Sequence, residues 1–346
     1  MNWFHQLSPR EQFLLVSIIK VVCVFAVVMP AVAYSVLAER KISAFIQDRR
    51  GPNRVGPFGI WQPLADGLKT FLKEDFVPAH VRKAYFWLAP MVSMTPALLV
   101  LAVIPFGSNL GGQKMVIADL DVGILYTFGI VSLGVYGIVL AGYASNSKYP
   151  FLGGIRSSAQ MISYEIAMGM SVIPVFLIVG NLNLSLVIQY QAEHGWLVLY
   201  APVSFIIFVI SAFAETNRLP FDLPESEQEL VGGYHTEYSS MKFALFFMGE
   251  YANMIAASAM MVTLFLGGWT LPFAGLNHPA ESILMGAAQI VIFMAKVAVL
   301  MGMFIWVRWM WPRFRYDQLM DLGWRRFLPV ALANIIATAL WLWAVA

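Results

Sequence analysis

Thiol chemistry is almost absent from this chain. Of 346 residues a single one, Cys23, is a cysteine, and it sits in an apolar run. One cysteine makes no intrachain disulfide, no Cys-rich metal site and no complete iron–sulfur ligand set. Charge is scarce too: 22 Lys and Arg face 20 Asp and Glu, 12% of the residues, for a formal net charge of +2. So small a net charge does not drive binding of a polyanion across a whole face, and no nucleic-acid partner is expected. The five histidines, His5, His80, His194, His235 and His278, are far apart and none pairs with another at metal-ligand spacing. Walker, dinucleotide-glycine and nucleophile-elbow patterns are missing as well, so neither NADH nor a metal is expected on this chain. Redox cofactors, if any, are expected in other chains.

What the chain has in abundance is apolar length. Hydrophobic residues make up 59%, with a mean hydropathy of +0.70, which excludes an ordinary soluble domain. Crossing about 30 Å of hydrocarbon takes about 20 apolar residues at 1.5 Å each. Eight such windows are found, near 13–35, 86–106, 122–142, 160–180, 197–214, 242–267, 283–307 and 327–345. Apolar and polar residues do not alternate along them, which argues against barrel strands. The expectation is an all-α polytopic membrane bundle of about eight helices, with residues 1–346 forming one integral membrane domain. The first window runs into Glu39-Arg40-Lys41 with no cleavage site and is expected to be retained.

Basic residues mark the cytoplasmic side. Eighteen Lys and Arg fall in the loops near 36–85, 143–159, 215–241 and 308–326 when Lys242, at the edge of the third, is included, whereas the loops between them hold only Lys114. Both termini are then expected on the opposite, periplasmic side. Lys20 lies in the first window and is expected to snorkel to an interface.

Two of the four basic-side loops are long. In the first, Gly51, Pro52, Gly56 and Pro57 punctuate turns, and beyond Pro63 the residues Leu64, Leu68, Phe71 and Leu72 recur at helical spacing. Asp66, Lys69, Lys73 and Glu74 face elsewhere, so an amphipathic helix lying in the membrane interface is expected. Its basic residues serve either to fix topology among lipid headgroups or to frame an entrance for a lipid-soluble molecule, and composition alone does not separate the two. The second long loop, 214–242, reverses the local charge bias with six acids against two basic residues.

These acids continue into the membrane. Glu165, Glu215 and Glu250 fall within or at the end of apolar windows, where an ionised side chain costs about 2.5–3.5 kcal/mol, so each is expected to face the bundle interior or water. Neighbouring buried carboxylates favour their protonated forms and together make a chain of proton-accepting sites. Lys296, inside the seventh window, either partners one of these carboxylates or takes part in proton movement. Tyr164 and Tyr251 adjoin two of the acids and either extend a hydrogen-bonded relay or, as interior tyrosines more commonly do, simply pack. His235 is the one histidine close to the acidic loop.

Two segments carry a specific resemblance. AERKISAFIQDRRGPNRVGPFGIWQPLADGLKTFLKED (38–75) and AETNRLPFDLPESEQELVGGYHTEYSSMKFALFFMGEYANM (214–254) resemble the two signature stretches of the NuoH-type membrane subunit of respiratory complex I, and the likeness extends over the whole chain. The resemblance implies a subunit of a proton-translocating NADH:quinone oxidoreductase that helps to form the quinone chamber and binds no flavin, iron–sulfur cluster or metal itself. It places Arg40, Gln62, Asp66 and Lys69 by the quinone path. It assigns proton coupling to Glu39, Glu165, Glu215, Asp222, Glu225, Glu227, Glu229 and Glu250, with Lys296 added from its place in the membrane. Implied partners are the peripheral-arm quinone-site and iron–sulfur subunits, small neighbouring membrane subunits, antiporter-like subunits and membrane lipid, in a bacterial inner membrane. The alternatives are the related subunit of an energy-converting hydrogenase-type complex and a stand-alone proton-coupled carrier. The GPNRVGPFG loop favours the first reading over the hydrogenase relative, and the missing internal repeat disfavours the carrier.

Overall fold

A computed structural model describes residues 8–224, 227–272 and 276–345, leaving aside the side chains of Pro9, Glu227 and Gln228. The chain is helical almost throughout. The long first helix α1 (Pro9–Ile46) is followed by α2 (Gln62–Leu72) and α3 (Lys83–Leu99), then by a small hairpin of β1 (Asn109–Leu110) and β2 (Gln113–Lys114). Next come α4 (Gly123–Ala144), α5 (Lys148–Val179), α6 (Leu184–His194), α7 (Leu197–Tyr200), α8 (Pro202–Glu215) and the single turn α9 (Glu227–Leu230). The chain closes with α10 (Ser240–Phe265), α11 (Ile283–Met310), α12 (Tyr316–Asp321) and α13 (Leu328–Val345).

Among the described residues seven helices are long and apolar enough to cross a bilayer. The fifth expected window, 197–214, is not one continuous helix. It breaks at Ala201 into the turn α7 and the 14-residue α8. Pro202 has no N–H to continue the preceding helix and its fixed φ suits the first position of a new one. At 1.5 Å per residue α8 is about 21 Å long, shorter than the hydrocarbon layer.

Two boundaries also move. Nothing between Glu39 and Ile46 breaks a helix, so α1 runs a further three turns past the expected end, and Glu39 and Arg40 stand on a helix, not in a loop. At 38 residues it is about 57 Å long, far more than a bilayer core needs. Helix α5 likewise begins at Lys148 and absorbs most of the expected loop 143–159, which brings Glu165 to mid-helix.

Helix α10 is the centre of the bundle, with 61% of its most apolar window buried, against 6% for α1 and for the terminal span containing α13. Those outer helices turn Phe13, Ile18, Leu340 and Trp343 outward, as helices facing an apolar surround do. Small residues permit the close packing of α3 on α4: a Cβ on Gly137 would lie 2.6 Å from the backbone nitrogen of Ser93.

Connectivity gives the bundle two ends. The end with the two long loops carries the C-terminus of α1, α2, the start of α10 and the end of α11. At the other end the hairpin and α6 are tied by Asp119, which accepts from Lys114 at 2.7 Å, Asn183 at 3.0 Å and Ser185 at 3.1 Å. Those donors hold its carboxyl below the usual aspartate range even though burial opposes them. Lys20 donates to the Val116 carbonyl at 3.0 Å in the same region.

Candidate functional site

Glu39 is the focus of the long-loop end. It is 5% exposed and receives three side chains from three other segments. Arg218, just beyond α8, places Nη1 3.0 Å from both carboxylate oxygens. The Tyr251 hydroxyl on α10 donates to Oε2 at 2.5 Å, and Arg308 on α11 donates to Oε1. Arg218 is itself shared: its Nε stands 2.6 Å from Glu250 Oε1, and its guanidinium lies 4.4 Å from the centre of the Tyr251 ring. Burial opposes the Arg218 charge, but Glu250, Tyr251 and Glu39 outweigh it and hold the group fully ionised. The result is a continuous chain from Glu39 through Arg218 to Glu250.

Helical geometry separates Glu39 from its neighbour. Adjacent residues on a helix point about 100° apart. Arg40 accordingly turns away and pairs with Asp66 on α2 at 2.7 Å. Gln62 donates to the same carboxylate at 3.1 Å and Lys69 approaches it at 3.6 Å. These four residues form one cluster joining α1 to the first turns of α2.

Between the two clusters opens a cavity of about 670 Å³. Glu39, Arg40, Gln62, Tyr251 and Arg308 line its polar side, and Val36, Ala44, Phe247 and Trp309 its apolar side. The 51–59 turn closes one wall. Gly59 takes φ +74° there, and a Cβ would collide with the Pro52 carbonyl, so only glycine fits.

A second, narrower space of about 20 Å³, room for about one water, lies deeper between α4, α5, α8 and α10 and is lined by both Glu215 and Glu250. Glu215 is buried, and neither of its oxygens meets a hydrogen-bond donor among the described residues. Glu165 on α5 acts on it electrostatically and accepts a hydrogen bond from Ser132 on α4. Glu39, Glu250, Glu215 and Glu165 thus succeed one another from the open cavity into the bundle.

A sequence profile of the family described as NADH dehydrogenase matches residues 19–339. NADH-quinone oxidoreductase subunit 8 of Rhodothermus marinus is 53% identical over 314 residues, covering 88% of this chain and 91% of that protein. The H-type subunit of NADH-quinone oxidoreductase from Paramagnetospirillum magneticum is 51% identical, covering 96% and 94%, and its counterpart in Cytophaga hutchinsonii is 48% identical, covering 94% and 96%. The chain belongs to the NADH dehydrogenase family as a NuoH-type subunit. Its relatives are named as parts of a multi-subunit enzyme, and among the described residues no group of three His, Cys, Asp or Glu side chains is placed to hold a metal.

In this NuoH-type chain the acidic loop is only partly drawn into the site. Asp222 pairs with Arg313 at 2.9 Å, and burial pushes its carboxyl above the usual range against the pull of that arginine. Glu229 is half exposed and pairs with Arg156 at 2.6 Å. Glu225 and the side chain of Glu227 lie outside the described residues. His235 packs between Tyr234 and Phe243, and burial lowers its pKa to about 4.

Lys296 meets none of these acids among the described residues. It donates to the carbonyls of Leu266, Gly268 and Thr270 at 2.6, 2.9 and 2.6 Å, and lies 4.9 Å from the centre of the Trp196 ring. Leu266 is sixteen residues beyond Glu250, roughly 24 Å along α10. Of the two readings open for Lys296, the carboxylate partner is not the one found among the described residues: the cation satisfies the carbonyl of the α10 C-cap, Leu266, and two carbonyls of the turn that follows it. Tyr164 is packed, donating to the Leu319 carbonyl at 2.9 Å, whereas Tyr251 is a ligand of Glu39.

Sequence reasoning missed Arg218 and Arg308 as members of the site, and for Tyr251 it left a hydrogen-bonded relay open beside simple packing. Both arginines are already accounted for as topology determinants, and the one available signal is the placement of Arg218 three residues after a membrane acid.

Proposed function

We propose that this chain is the membrane subunit of a proton-translocating NADH:quinone oxidoreductase that forms part of the quinone chamber and passes the consequence of quinone reduction to buried carboxylates. The observation that carries the reading is the continuous succession from an open cavity, through Glu39, Arg218 and Glu250, to the carboxylate of Glu215, which has no hydrogen-bond partner among the described residues.

A quinone taking two electrons from a neighbouring redox subunit takes two protons at its carbonyl oxygens. The cavity's mixed wall fits such a molecule: Arg40 and Arg308 offer donors to carbonyl acceptors, and Val36, Phe247 and Trp309 offer apolar surface. Arg40, Gln62, Asp66 and Lys69 order the mouth, because they fix α2 against α1. A change of charge in the cavity is felt first by Glu39. Arg218 can favour Glu39 or Glu250 but cannot satisfy both equally once either changes protonation, so the disturbance moves inward to Glu215 and Glu165. Asp222, Glu225, Glu227 and Glu229 form the loop that responds, since repulsion among acids falls with each proton gained. We assign Lys296 to holding the far end of α10, not to carrying protons.

The reading includes the other subunits of such a complex and membrane lipid as partners, one integral membrane domain over 1–346, and a bacterial inner membrane with both termini periplasmic. Eighteen basic residues on one side support that orientation.

The test is extraction of native membranes in mild detergent, with mass spectrometry of the proteins migrating with this chain and an inhibitor-sensitive NADH:quinone assay on the same band. Flavin and iron–sulfur subunits together with quinone reductase activity support the reading. Recovery with a nickel–iron hydrogenase, or of the chain alone with transport activity, overturns it.

A further inference from the structure

One buried cation lies outside the chain of acids. Lys242 sits in the first turn of α10 and is 3% exposed, a position where the helix dipole opposes positive charge. Its ammonium donates to both carboxylate oxygens of Asp75, at 2.6 and 2.7 Å, and lies 3.9 Å from the centre of the Trp87 ring. Two residues earlier, Ser240 has φ +51°, a left-handed conformation unfavourable for any residue with a Cβ. That conformation brings its hydroxyl 3.0 Å from the carbonyls of both Thr70 and Lys73, where its hydrogen is shared between two groups that α2 leaves open at its C-terminal end.

These contacts form a clamp between distant parts of the sequence. On one side is the last turn of α2 and the irregular segment leaving it. On the other is the end of the acidic loop, whose Tyr238 stacks on Phe86 at 4.0 Å, the same ring that Lys242 approaches at 5.5 Å. The opposite end of α2 bears Gln62, in the wall of the large cavity, and Asp66, paired with Arg40. Helix α2 buries none of its own residues, and Leu64, Leu68, Phe71 and Leu72 are all exposed, so its position depends on what is fastened at its two ends.

We propose that Ser240 and Lys242 are positioning residues that fasten the mouth helix α2 to the acidic loop, so that the state of the loop sets how a long-tailed quinone enters the cavity. The inference rests on the quinone reading above. Lys242 and Ser240 touch no part of the cavity; they act through α2. A displacement of Ser240 moves the C-terminal end of α2 directly, and its N-terminal end, hinged at Arg40 and Asp66, turns at the cavity wall. A tail must pass that helix for as long as the head is bound, whereas a short-tailed analogue makes little contact with it.

The experiment uses Lys242→Met, Ser240→Ala and Lys242→Arg in the intact complex in native membranes. Quinones sharing one head group are compared with a long isoprenoid tail and with a short alkyl tail. For Lys242→Met the KM for the long-tailed substrate is expected to rise roughly tenfold, with kcat and the short-tailed KM little changed. Lys242→Arg, which keeps the pair with Asp75 and the ring contact, is expected to restore the KM. Hydrogen exchange of amides 68–75, measured on the same samples, is expected to quicken in Lys242→Met and Ser240→Ala. Equal KM changes for both tails, or unaltered exchange, overturn the proposal. Quinone reduction that persists after deletion of this chain overturns the underlying quinone reading instead, while the exchange data still report on the clamp.

Discussion

Arg218 reaches Glu39 across 179 residues of sequence, with Nη1 3.0 Å from each oxygen of the carboxylate and both side chains less than a tenth exposed. The same guanidinium turns its Nε to Glu250 at 2.6 Å. One planar cation thus spans two acids on two helices, a task that suits arginine and not lysine.

Removing that cation leaves Glu39 and Glu250 facing each other across a buried gap. Arg218→Met is expected to destabilise the subunit by about 3–5 kcal/mol, the usual cost of breaking one partner out of a buried pair. The assembled complex on a native gel should fall accordingly. Arg218→Lys keeps the charge but not the fork, and should assemble while quinone reduction drops roughly tenfold. Full activity in Arg218→Lys contradicts the bridging role.

Glu215 makes the complementary case, since neither of its oxygens has a donor to lose among the described residues. Glu215→Gln has nearly the same shape and is expected to leave assembly and quinone reduction close to normal. What should fall is the number of protons moved per electron, measured with a pH dye in sealed vesicles. Unchanged stoichiometry removes Glu215 from the coupling path.

The acidic loop has its own pH dependence through His235, whose pKa burial lowers to about 4 from an ordinary 6.5. The folded state binds this proton less readily than the unfolded state, so the contribution to stability is present in full above the ordinary value and is lost as pH falls from 6.5 towards 4. Limited proteolysis of residues 215–240 should therefore quicken over that window in the wild type. His235→Phe keeps the packing against Tyr234 and Phe243 without the titration, and its cleavage should be flatter with pH.

At the far end of the bundle, Lys296→Met strips three carbonyls of their donor. An unsatisfied buried polar group costs about 1–3 kcal/mol, so the melting temperature in detergent should drop visibly. Lys296→Gln retains an amide donor and should recover part of the loss. Protons moved per electron by the surviving complex should not change. A lower ratio with an unchanged melting temperature restores Lys296 to the proton path.

The amphipathic helix α2 was legible because its pattern is local: four apolar residues at helical spacing after Pro63 state both the helix and its outward face. The membrane acids were legible for a related reason, as Glu165, Glu215 and Glu250 are conspicuous against apolar surroundings. Arg308 was not, because an arginine at the end of a membrane helix has a sufficient explanation in topology, and nothing near it in sequence points to Glu39.

The sequence by itself determined the helical class, the apolar segments, the one-sided placement of basic residues and the two long loops, since each follows from composition or from a period shorter than two helical turns. Only the tertiary structure decided that α1 carries Glu39 into the bundle, that Arg218, Tyr251 and Arg308 converge on it, and that Lys296 meets backbone carbonyls at and beyond the end of α10. Those contacts join residues 26 to 269 positions apart, and no local periodicity records which buried charge will meet which; packing selects the partner because an unpaired charge is too costly to leave.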